Sequence, residues 1–505
     1  MSTLAMSVDN PLFVKHVRSR LRRGQIIAPA VIVGVICLCI AYACYVNNWY
    51  VTGWAFGGFL AVQVVVLGIM GATQVSSAVG GARESGILDF HRVSPLSPLA
   101  VTLGFFFGAP VREYTLAALT LPFVLACAAK DAPSVWPAIQ VEIAVLLGCW
   151  LLHSLALLTA LATKKPKAGA KGTVGIVIFA LMFAGPSGFM GLASVASAVG
   201  DSPTLEFYGM PLPWLASVLL YAVPLLFFFM LASVRKMQSD RAHAYSKPEA
   251  VACLAVEALI VLGGLWSIRD FAYLPLGVIY STSALALVLI LTITPNLGEF
   301  AKGVRRAERD GRTHVSYWSD LALNRVAVFT LCAIVLLAST VAWYFVAPGP
   351  FPPQWGGAPG GERAPSYSVP IAVAVLSVAA FGLALQFFLL VAPRRGATLL
   401  GLFVFLTWLL PPVIGSILRA AQVGPQVAMA IVATSPIAGI AMATDLGPMS
   451  ETGTDAMKLA AVLPALVFAM LFNNAVTWAR RREVAAIHGG PALAKPEAEP
   501  DPLAV

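Results

Sequence analysis

Three ionisable side chains lie inside long apolar stretches of the sequence, where a charge is costly. Arg112 and Glu113 fall in the third such stretch and Glu142 in the fourth. Ionisable groups at membrane depth cost several kcal/mol and face either an opposite charge or a transport path. The rise of a helix along these stretches places Arg112 within side-chain reach of Glu142. We therefore expect an ion pair between neighbouring helices, with contact to a transported substrate as the alternative.

The other candidate residues lie in a polar segment, 80–98, between the second and third apolar stretches. It reads GGARESGILDFHRVSPLSP, which predicts two short helical pieces followed by a turn at its Ser-Pro pair. A docking helix needs an apolar face to bury and a few charges that fix its register. Leu88 and Phe90 supply such a face, and Glu84 and Asp89 supply the charges. Periodicity alone, however, favours a solvated loop.

Sequence patterns for catalysis, metal binding and nucleotide binding are not found in this chain. The G-x-x-x-x-G-K-[ST] pattern that cradles phosphates does not occur, and neither does H-E-x-x-H. All seven cysteines fall in apolar stretches without a C-x-x-C pair, which is typical of small packing residues. We therefore predict no enzyme activity, no catalytic residue, no cofactor and no metal in this chain.

The composition indicates that a bilayer surrounds most of these side chains. Hydrophobic residues make up 59% of the 505 and charged residues only 11%, against about 25% charged in soluble domains. A crossing helix needs about 20 apolar residues, and we predict an all-α integral membrane protein with about 12 transmembrane helices in a 6+6 arrangement. The predicted helices are 26–46, 53–74, 99–127, 136–162, 172–199, 214–234, 250–266, 274–294, 326–346, 369–391, 398–418 and 457–478.

Basic residues indicate which loops are cytoplasmic. Most lysines and arginines fall in alternate loops, and the other side holds only Lys130, Arg269, Arg363, Arg419 and Lys458. Cytoplasmic loops carry such an excess, so both termini and the polar segment are predicted to be cytoplasmic. The loop 348–365, which is rich in proline and glycine, is predicted to be external. This placement accounts for the formal charge of +9 without nucleic acid as a partner. We predict a multi-pass protein of the plasma (inner) membrane.

One further apolar stretch, 426–444, is interpreted as an outer re-entrant element. If it crossed the bilayer, Arg480, Arg481 and Arg482 would lie outside, which inverts the charge rule. Its Ser-Pro pair also weakens a full-length helix.

The patterns divide the chain into four parts. The chain begins with a short amphipathic, basic interfacial helix, for which Asn10 is the expected N-cap and Pro11 the first-turn residue. The final part is rich in Pro, Ala and Glu, which predicts disorder. The parts are the interfacial helix 1–25, a first six-helix unit 26–240, a second six-helix unit 241–482 and a disordered cytoplasmic tail 483–505.

The polar segment resembles the hallmark of a known family of membrane proteins. Type-2 ABC exporters (the ABC-2 permease family) carry E-x-G-T-L-[DE]-x-L-x-x-[ST]-P-L-[ST] after their second span. Ile87 stands here where threonine is usual, the likeness is good over roughly the first quarter of the chain, and the second half has no copy of the motif. The matching residues are Glu84, Gly86, Leu88, Asp89, Ser94, Pro95, Leu96 and Ser97.

The resemblance implies an export permease that is powered by a separate ABC ATPase subunit, which would bind the ATP. A second copy of this chain, or a second permease, is an open question. An ion-coupled secondary transporter also has two six-helix halves, and a non-transporting membrane scaffold agrees with the missing second motif. An ATPase gene beside this one would discriminate among these classes. The implied docking residues are Glu84, Gly86, Leu88, Asp89, Phe90 and Pro95.

Overall fold

The computed structural model describes residues 10–47, 52–131, 135–162, 204–240, 242–264, 266, 274–346, 366–422, 424–443 and 455–489. Ten helices in this described part are long and apolar enough to cross a membrane. The protein is thus a multi-pass helical membrane protein, as its composition predicts. The chain divides into two compact units, Met1–Ala244 (unit 1) and Tyr245–Val505 (unit 2).

Unit 1 is helical apart from one short hairpin in its described residues. The sequence did not predict this hairpin, whose strands pair antiparallel from Thr204 opposite Pro213 to Phe207 opposite Met210. Its elements are α1 (Pro11–Arg20), α2 (Arg23–Val46), α3 (Thr52–Gln63), a π-helical segment (Val64–Met70), α4 (Gly71–Glu84), α5 (Ile87–Val93), α6 (Pro98–Gly108), α7 (Val111–Ala118), α8 (Leu121–Asp131), α9 (Trp136–Ala162), β1 (Thr204–Phe207), β2 (Met210–Pro213) and α10 (Trp214–Gln238).

Helix α9 is central in unit 1 and packs against α4 and α10. Its buried residues recur every three or four positions, as a helix that is covered along one side requires. Cys149 is one of them, and six of the seven cysteines are buried without forming a disulfide bond among the described residues. The predicted packing role of these cysteines is thereby confirmed for those six. The buried positions along the first half of this face are Ala138, Val141, Val145, Cys149 and His153.

The span predicted at 99–127 is broken into three helices, which corrects the sequence prediction. Helix α6 ends before Pro110, whose ring clashes with the preceding turn and which has no N–H to donate. A second break separates α7 from α8 just before Pro122. Residues Val111–Lys130 together are long and apolar enough to cross, whereas α6 is a shorter apolar helix. The prediction of one span rested on the apolar length of the stretch, which does not register the prolines at the two breaks.

Unit 2 is helical throughout its described residues, with α15 at its centre. Helix α15 packs against α12, α14 and α20. In its most apolar stretch of 18 residues, 72% of the residues are buried. The elements are α11 (Lys247–Gly264), α12 (Leu274–Ile293), α13 (Leu297–Arg309), α14 (Arg325–Val346), α15 (Ser368–Val391), α16 (Gly396–Val404), a second π-helical segment (Phe405–Leu409), α17 (Leu410–Ala420), α18 (Pro425–Ala433), α19 (Pro436–Met442) and α20 (Asp455–Gly489).

Two of the twelve predicted spans have no counterpart among the ten long apolar helices. The prediction 250–266 coincides with α11, which is 18 residues long and includes Lys247, Glu249 and Glu257. The prediction 172–199 lies outside the described residues. The loop predicted to be external, 348–365, also lies outside them.

The stretch 426–444 forms two short helices instead of one long one. Helix α18 has nine residues and α19 seven, and the chain breaks between them at Ser435. The hydroxyl of Ser435 donates to the carbonyl of Trp408 at 2.6 Å. Both helices pack against α20, so the stretch is covered by protein.

The tail boundary predicted at residue 483 was wrong. Helix α20 continues without interruption to Gly489. Arginine, glutamate and alanine after Trp478 are good helix formers, which explains the continuation. The remainder of the predicted tail lies outside the described residues.

Candidate docking segment and intramembrane polar groups

The polar segment 80–98 is a short helix held between two turns. Helix α4 ends at Glu84, and Gly86 has φ of +70°, a left-handed conformation that glycine adopts without strain. This conformation reverses the chain into α5 and gives a physical reason for the glycine in the motif. At the other end, Ser97 is the N-cap of α6, because its Oγ accepts from the Ala100 N–H at 3.1 Å.

The two apolar residues predicted to be docking anchors lie on opposite sides of α5. Leu88 is 1% exposed and packs in a cluster with Val79, Val101 and Phe105. Phe90 is 66% exposed. Leu88 is therefore turned into unit 1 and positions the helix, which corrects the prediction that it faces a partner.

The exposed residues of the segment include both apolar and acidic side chains. Val93 is 83% exposed, next to Phe90 on the same short helix. Glu84, Asp89 and Pro95 are exposed as well. These are the residues that the segment presents to the surroundings of unit 1.

Asp240 attaches the segment to the end of α10. Its Oδ1 accepts from Arg83 Nη2 at 3.3 Å and from Arg92 Nη2 at 3.2 Å. Arg92 Nη1 also pairs with Asp89 at 2.7 Å, and Arg83 Nη2 donates to the Leu161 carbonyl at 2.9 Å. The arginine side chains are only 16% and 15% exposed. The Asp240 carboxylate therefore joins the ends of α4, α5 and α10, and Arg83 links them to the end of α9.

Sequence reasoning missed Asp240, although a signal was present. It is the only acid in the basic stretch 235–247, where the sequence analysis counted only cations. Lys236 fixes the backbone here, since its Nζ donates to the carbonyls of Asp240 at 2.6 Å and Ala242 at 3.0 Å.

Helix α1 packs against α6 beside the segment. The predicted N-cap is confirmed, because Asn10 Oδ1 accepts from the N–H groups of Leu12 at 3.0 Å and Phe13 at 3.4 Å. Asn10 Nδ2 also donates to the Ala100 carbonyl of α6. Leu12 is 3% exposed and belongs to the same core cluster as Leu88. Helix α1 and the polar segment thus share one core.

Two histidines meet at Phe105 between α1 and α5. The ring centroids of His16 and His91 lie 5.7 Å and 6.4 Å from that of Phe105. Burial, followed by the charges of Arg20 and Lys15, lowers the pKa of His16 to about 4. Burial, followed by Lys15, lowers the pKa of His91 as well. Both rings are therefore neutral near pH 7.

The predicted ion pair between Arg112 and Glu142 is wrong. Arg112 pairs with its neighbour Glu113, with Nη2 2.6 Å and Nε 3.0 Å from Oε1. The reach estimate assumed one continuous third helix, whereas α7 starts afresh after Pro110. Glu113 is completely buried, and its Oε2 has no hydrogen-bond partner among the described residues.

Glu142 is instead part of an amide network. Gln63 Nε2 donates to Glu142 Oε1 at 3.0 Å and to Thr120 Oγ1 at 2.7 Å. Gln63 is 3% exposed and lies where α3 becomes π-helical. The three groups tie α3, α9 and the turn between α7 and α8 together.

His153 of α9 explains the π-helical segment of unit 1. Its Nε2 donates to the Leu67 carbonyl at 2.7 Å, and a π-helical turn leaves such a carbonyl free. Its Nδ1 is then an acceptor for the Tyr114 hydroxyl at 3.4 Å, which itself accepts from Trp150 Nε1 at 3.0 Å. A Cβ on Gly71 would collide with the imidazole, so only glycine permits this approach. A chain of hydrogen bonds thus crosses the interior of unit 1.

The described residues contain no group of three His, Cys, Asp or Glu side chains that could hold a metal ion. Comparison with protein-family models, curated proteins and solved structures finds no match for this chain.

Proposed function

We propose that this protein is the membrane-spanning permease of an ATP-driven export system of the ABC-2 type, with a separate ATPase subunit. The observation that carries this proposal is the form of the segment 80–98. It exposes the apolar side chains of Phe90 and Val93 together with the acidic residues Glu84 and Asp89, while Leu88 is buried in unit 1. An exposed apolar patch with charges at its rim is typical of a docking site.

The contacts of the segment provide a route by which ATPase movement would reach the membrane helices. A partner bound at Phe90 would displace α5. Because Leu88 anchors α5 in the core, the core would move with it. Arg83 and Arg92 would pass the force to Asp240 and hence to α10. The segment would act as a rigid coupling helix, in agreement with the role that the motif resemblance implies.

The test is co-purification with an ATPase. A Walker-motif ATPase encoded beside this gene is produced together with the tagged protein, and the complex is isolated in detergent. The double variant Phe90→Ala, Glu84→Ala should weaken retention of the ATPase tenfold or more, equivalent to about 1.4 kcal/mol. It should still insert normally, because both side chains are exposed.

The matched control is Leu21→Ala, which removes an apolar side chain that is 36% exposed just after α1. It should leave ATPase retention unchanged. The proposal fails if the double variant holds the ATPase as tightly as the parent, or if the parent captures none.

A second candidate function, ion-coupled transport, is favoured by one specific observation. The interior of unit 1 holds the buried carboxyl of Glu113 with an unpartnered oxygen, close in sequence to the Tyr114–His153 hydrogen-bond chain. Such groups mark proton pathways in membrane proteins. In proteoliposomes without ATPase, proton flux that is abolished by Glu113→Gln would favour this function. Equal flux in the parent and variant would exclude that role for Glu113.

A further inference from the structure

Unit 2 contains a cavity of about 490 Å³ where α13, the start of α14 and the end of α20 come together. Its wall is apolar at the bottom, where Phe300 is 4% and Val476 is 1% exposed. Its rim is cationic, with Arg312 from the loop after α13, Arg325 from α14 and Arg480 from α20. The cavity therefore combines an apolar inner surface with three guanidinium groups.

The charges at this rim are not balanced within the described part of the chain. Glu308 is the only carboxylate that lines the cavity, and it pairs with His488 at 3.3 Å. Arg325 donates to the Thr477 hydroxyl at 3.4 Å, which is a neutral partner. Arg312 and Arg480 form no ion pair with any described residue. No carboxylate among the described residues neutralises Arg312 or Arg480, so both can bind an external anion.

Aromatic residues place the cavity at the level of a membrane surface. Trp318 and Tyr317 beside it are 42% and 54% exposed, and Trp478 on α20 is 54% exposed. Arg482 stacks over the Trp478 ring at 5.6 Å. Exposed tryptophan and tyrosine next to arginine are typical of the headgroup region of a bilayer. In the headgroup region, an acidic phospholipid is the molecule that carries both an anionic group and an attached apolar part.

We propose that this cavity binds the phosphate of an anionic phospholipid headgroup, with Arg312 and Arg480 as the phosphate ligands and the apolar floor against the start of the acyl chains. Guanidinium groups bind phosphate oxygens in a bidentate way, which suits two arginines that lack carboxylate partners. Basic pockets between membrane helices recognise lipid headgroups by this chemistry. The site belongs to unit 2 alone and does not depend on the docking of an ATPase.

The experiment measures lipid retention by the full chain. The protein is reconstituted in phosphatidylcholine nanodiscs with increasing phosphatidylglycerol, and bound phosphatidylglycerol is counted by native mass spectrometry after extraction. Arg312→Gln with Arg480→Gln should weaken retention at least tenfold. The control, Arg309→Gln with Arg481→Gln, removes the same charge from α13 and α20 at residues that do not line the cavity. It should retain the lipid as the parent does.

A second variant separates the cavity from general charge. Val484→Trp narrows the cavity from its apolar wall and leaves every arginine in place. It should also release the lipid, with an unchanged melting temperature as evidence that the protein is folded. If the control pair loses lipid as strongly as the cavity pair, or if neither loses it, the proposal is overturned. If glycerol phosphate in solution binds as tightly as the lipid, the phospholipid assignment is wrong and the ligand is a free phosphate.

Discussion

Leu88 and Phe90 are two positions apart, yet they have opposite surroundings. Both are large apolar residues in a polar segment, and the sequence alone gives no means of telling which one faces the protein. A helix of seven residues is too short for its periodicity to decide. The structure distinguishes the two residues. Leu88 packs in the core cluster, whereas Phe90 is exposed and accessible to a partner.

We expect Leu88→Ala to lower the free energy of unfolding by about 2–5 kcal/mol, because it leaves a cavity among packed side chains. Phe90→Ala should change it by less than about 0.5 kcal/mol, as is usual for exposed positions. Thermal or denaturant unfolding of the purified protein in detergent measures both. Equal losses in the two variants would show that Phe90 is packed as Leu88 is.

The intramembrane charges show where sequence reasoning fails at this scale. Glu113 is fully buried and Arg112 and Glu142 are partly buried, but the predicted partner of Arg112 was wrong. Partner choice depends on the break at Pro110 and on Gln63, which has no charge to attract notice. A hydropathy profile measures how long an apolar stretch is. It does not show whether the helix within that stretch changes direction.

At the scale of elements, α1 shows what a local signal can predict. Asn10-Pro11 is a strong helix start, and the structure has the cap at that position. The surface against which α1 packs was not predictable, because it depends on α6, which is distant in sequence. That contact places His16 near His91, so a titratable side chain lies at the packing surface of α1.

We expect α1 to detach from α6 as the medium is acidified. The pKa of His16 falls from its ordinary value of 6.5 to about 4 when α1 is packed, so the packed form resists protonation. Packing is therefore fully stable above the ordinary value and weakens as pH falls toward the lower one. His91 acts in the same direction. Hydrogen exchange over residues 11–20, corrected for intrinsic pH dependence, measures the loss between about pH 7 and about pH 5.

His16→Gln is the informative variant for this dependence. Glutamine fills a similar volume but does not titrate, so most of the pH response over α1 should disappear. His314→Gln, at an exposed histidine of unit 2, should leave it intact. A response that persists unchanged in His16→Gln would assign it to another group.

Lys247 stabilises the connection between α13 and α14. Its side chain is fully buried, and its Nζ donates to the carbonyls of Ser319 at 2.8 Å, Ala322 at 2.6 Å and Leu323 at 3.1 Å. Lys247→Met should lower the free energy of unfolding by about 3 kcal/mol, since charge-assisted hydrogen bonds are lost and carbonyls are left unpaired. Unfolding in denaturant measures this loss, and Lys302→Met, at an exposed lysine on α13, should have little effect.

At the scale of the whole molecule, composition and charge placement were the most informative signals. Long apolar stretches predicted most of the crossing helices because bilayer thickness fixes their length. The prediction that 426–444 is not a single long helix also agrees with the break between α18 and α19. Helix α11 has three charged residues and is not among the ten long apolar helices, so the span predicted there stays a prediction. Hydropathy did fail at the broken span near Pro110.

The sidedness of the chain is the prediction on which the functional proposal depends, and impermeant cysteine labelling in intact cells tests it. Val93→Cys on the docking segment and Ala486→Cys at the end of α20 should react only after the membrane is opened, because the excess of arginine and lysine around both indicates the cytoplasm. Gln426→Cys should react without opening, since 426–444 is predicted to lie on the outer side. All three positions are exposed, so access to reagent depends on the side of the membrane. The parent protein reports any background from its native cysteines. Labelling of Val93→Cys from outside would remove the segment from the reach of ATP and of any ATPase, and labelling of Ala486→Cys from outside would show that 426–444 crosses the bilayer.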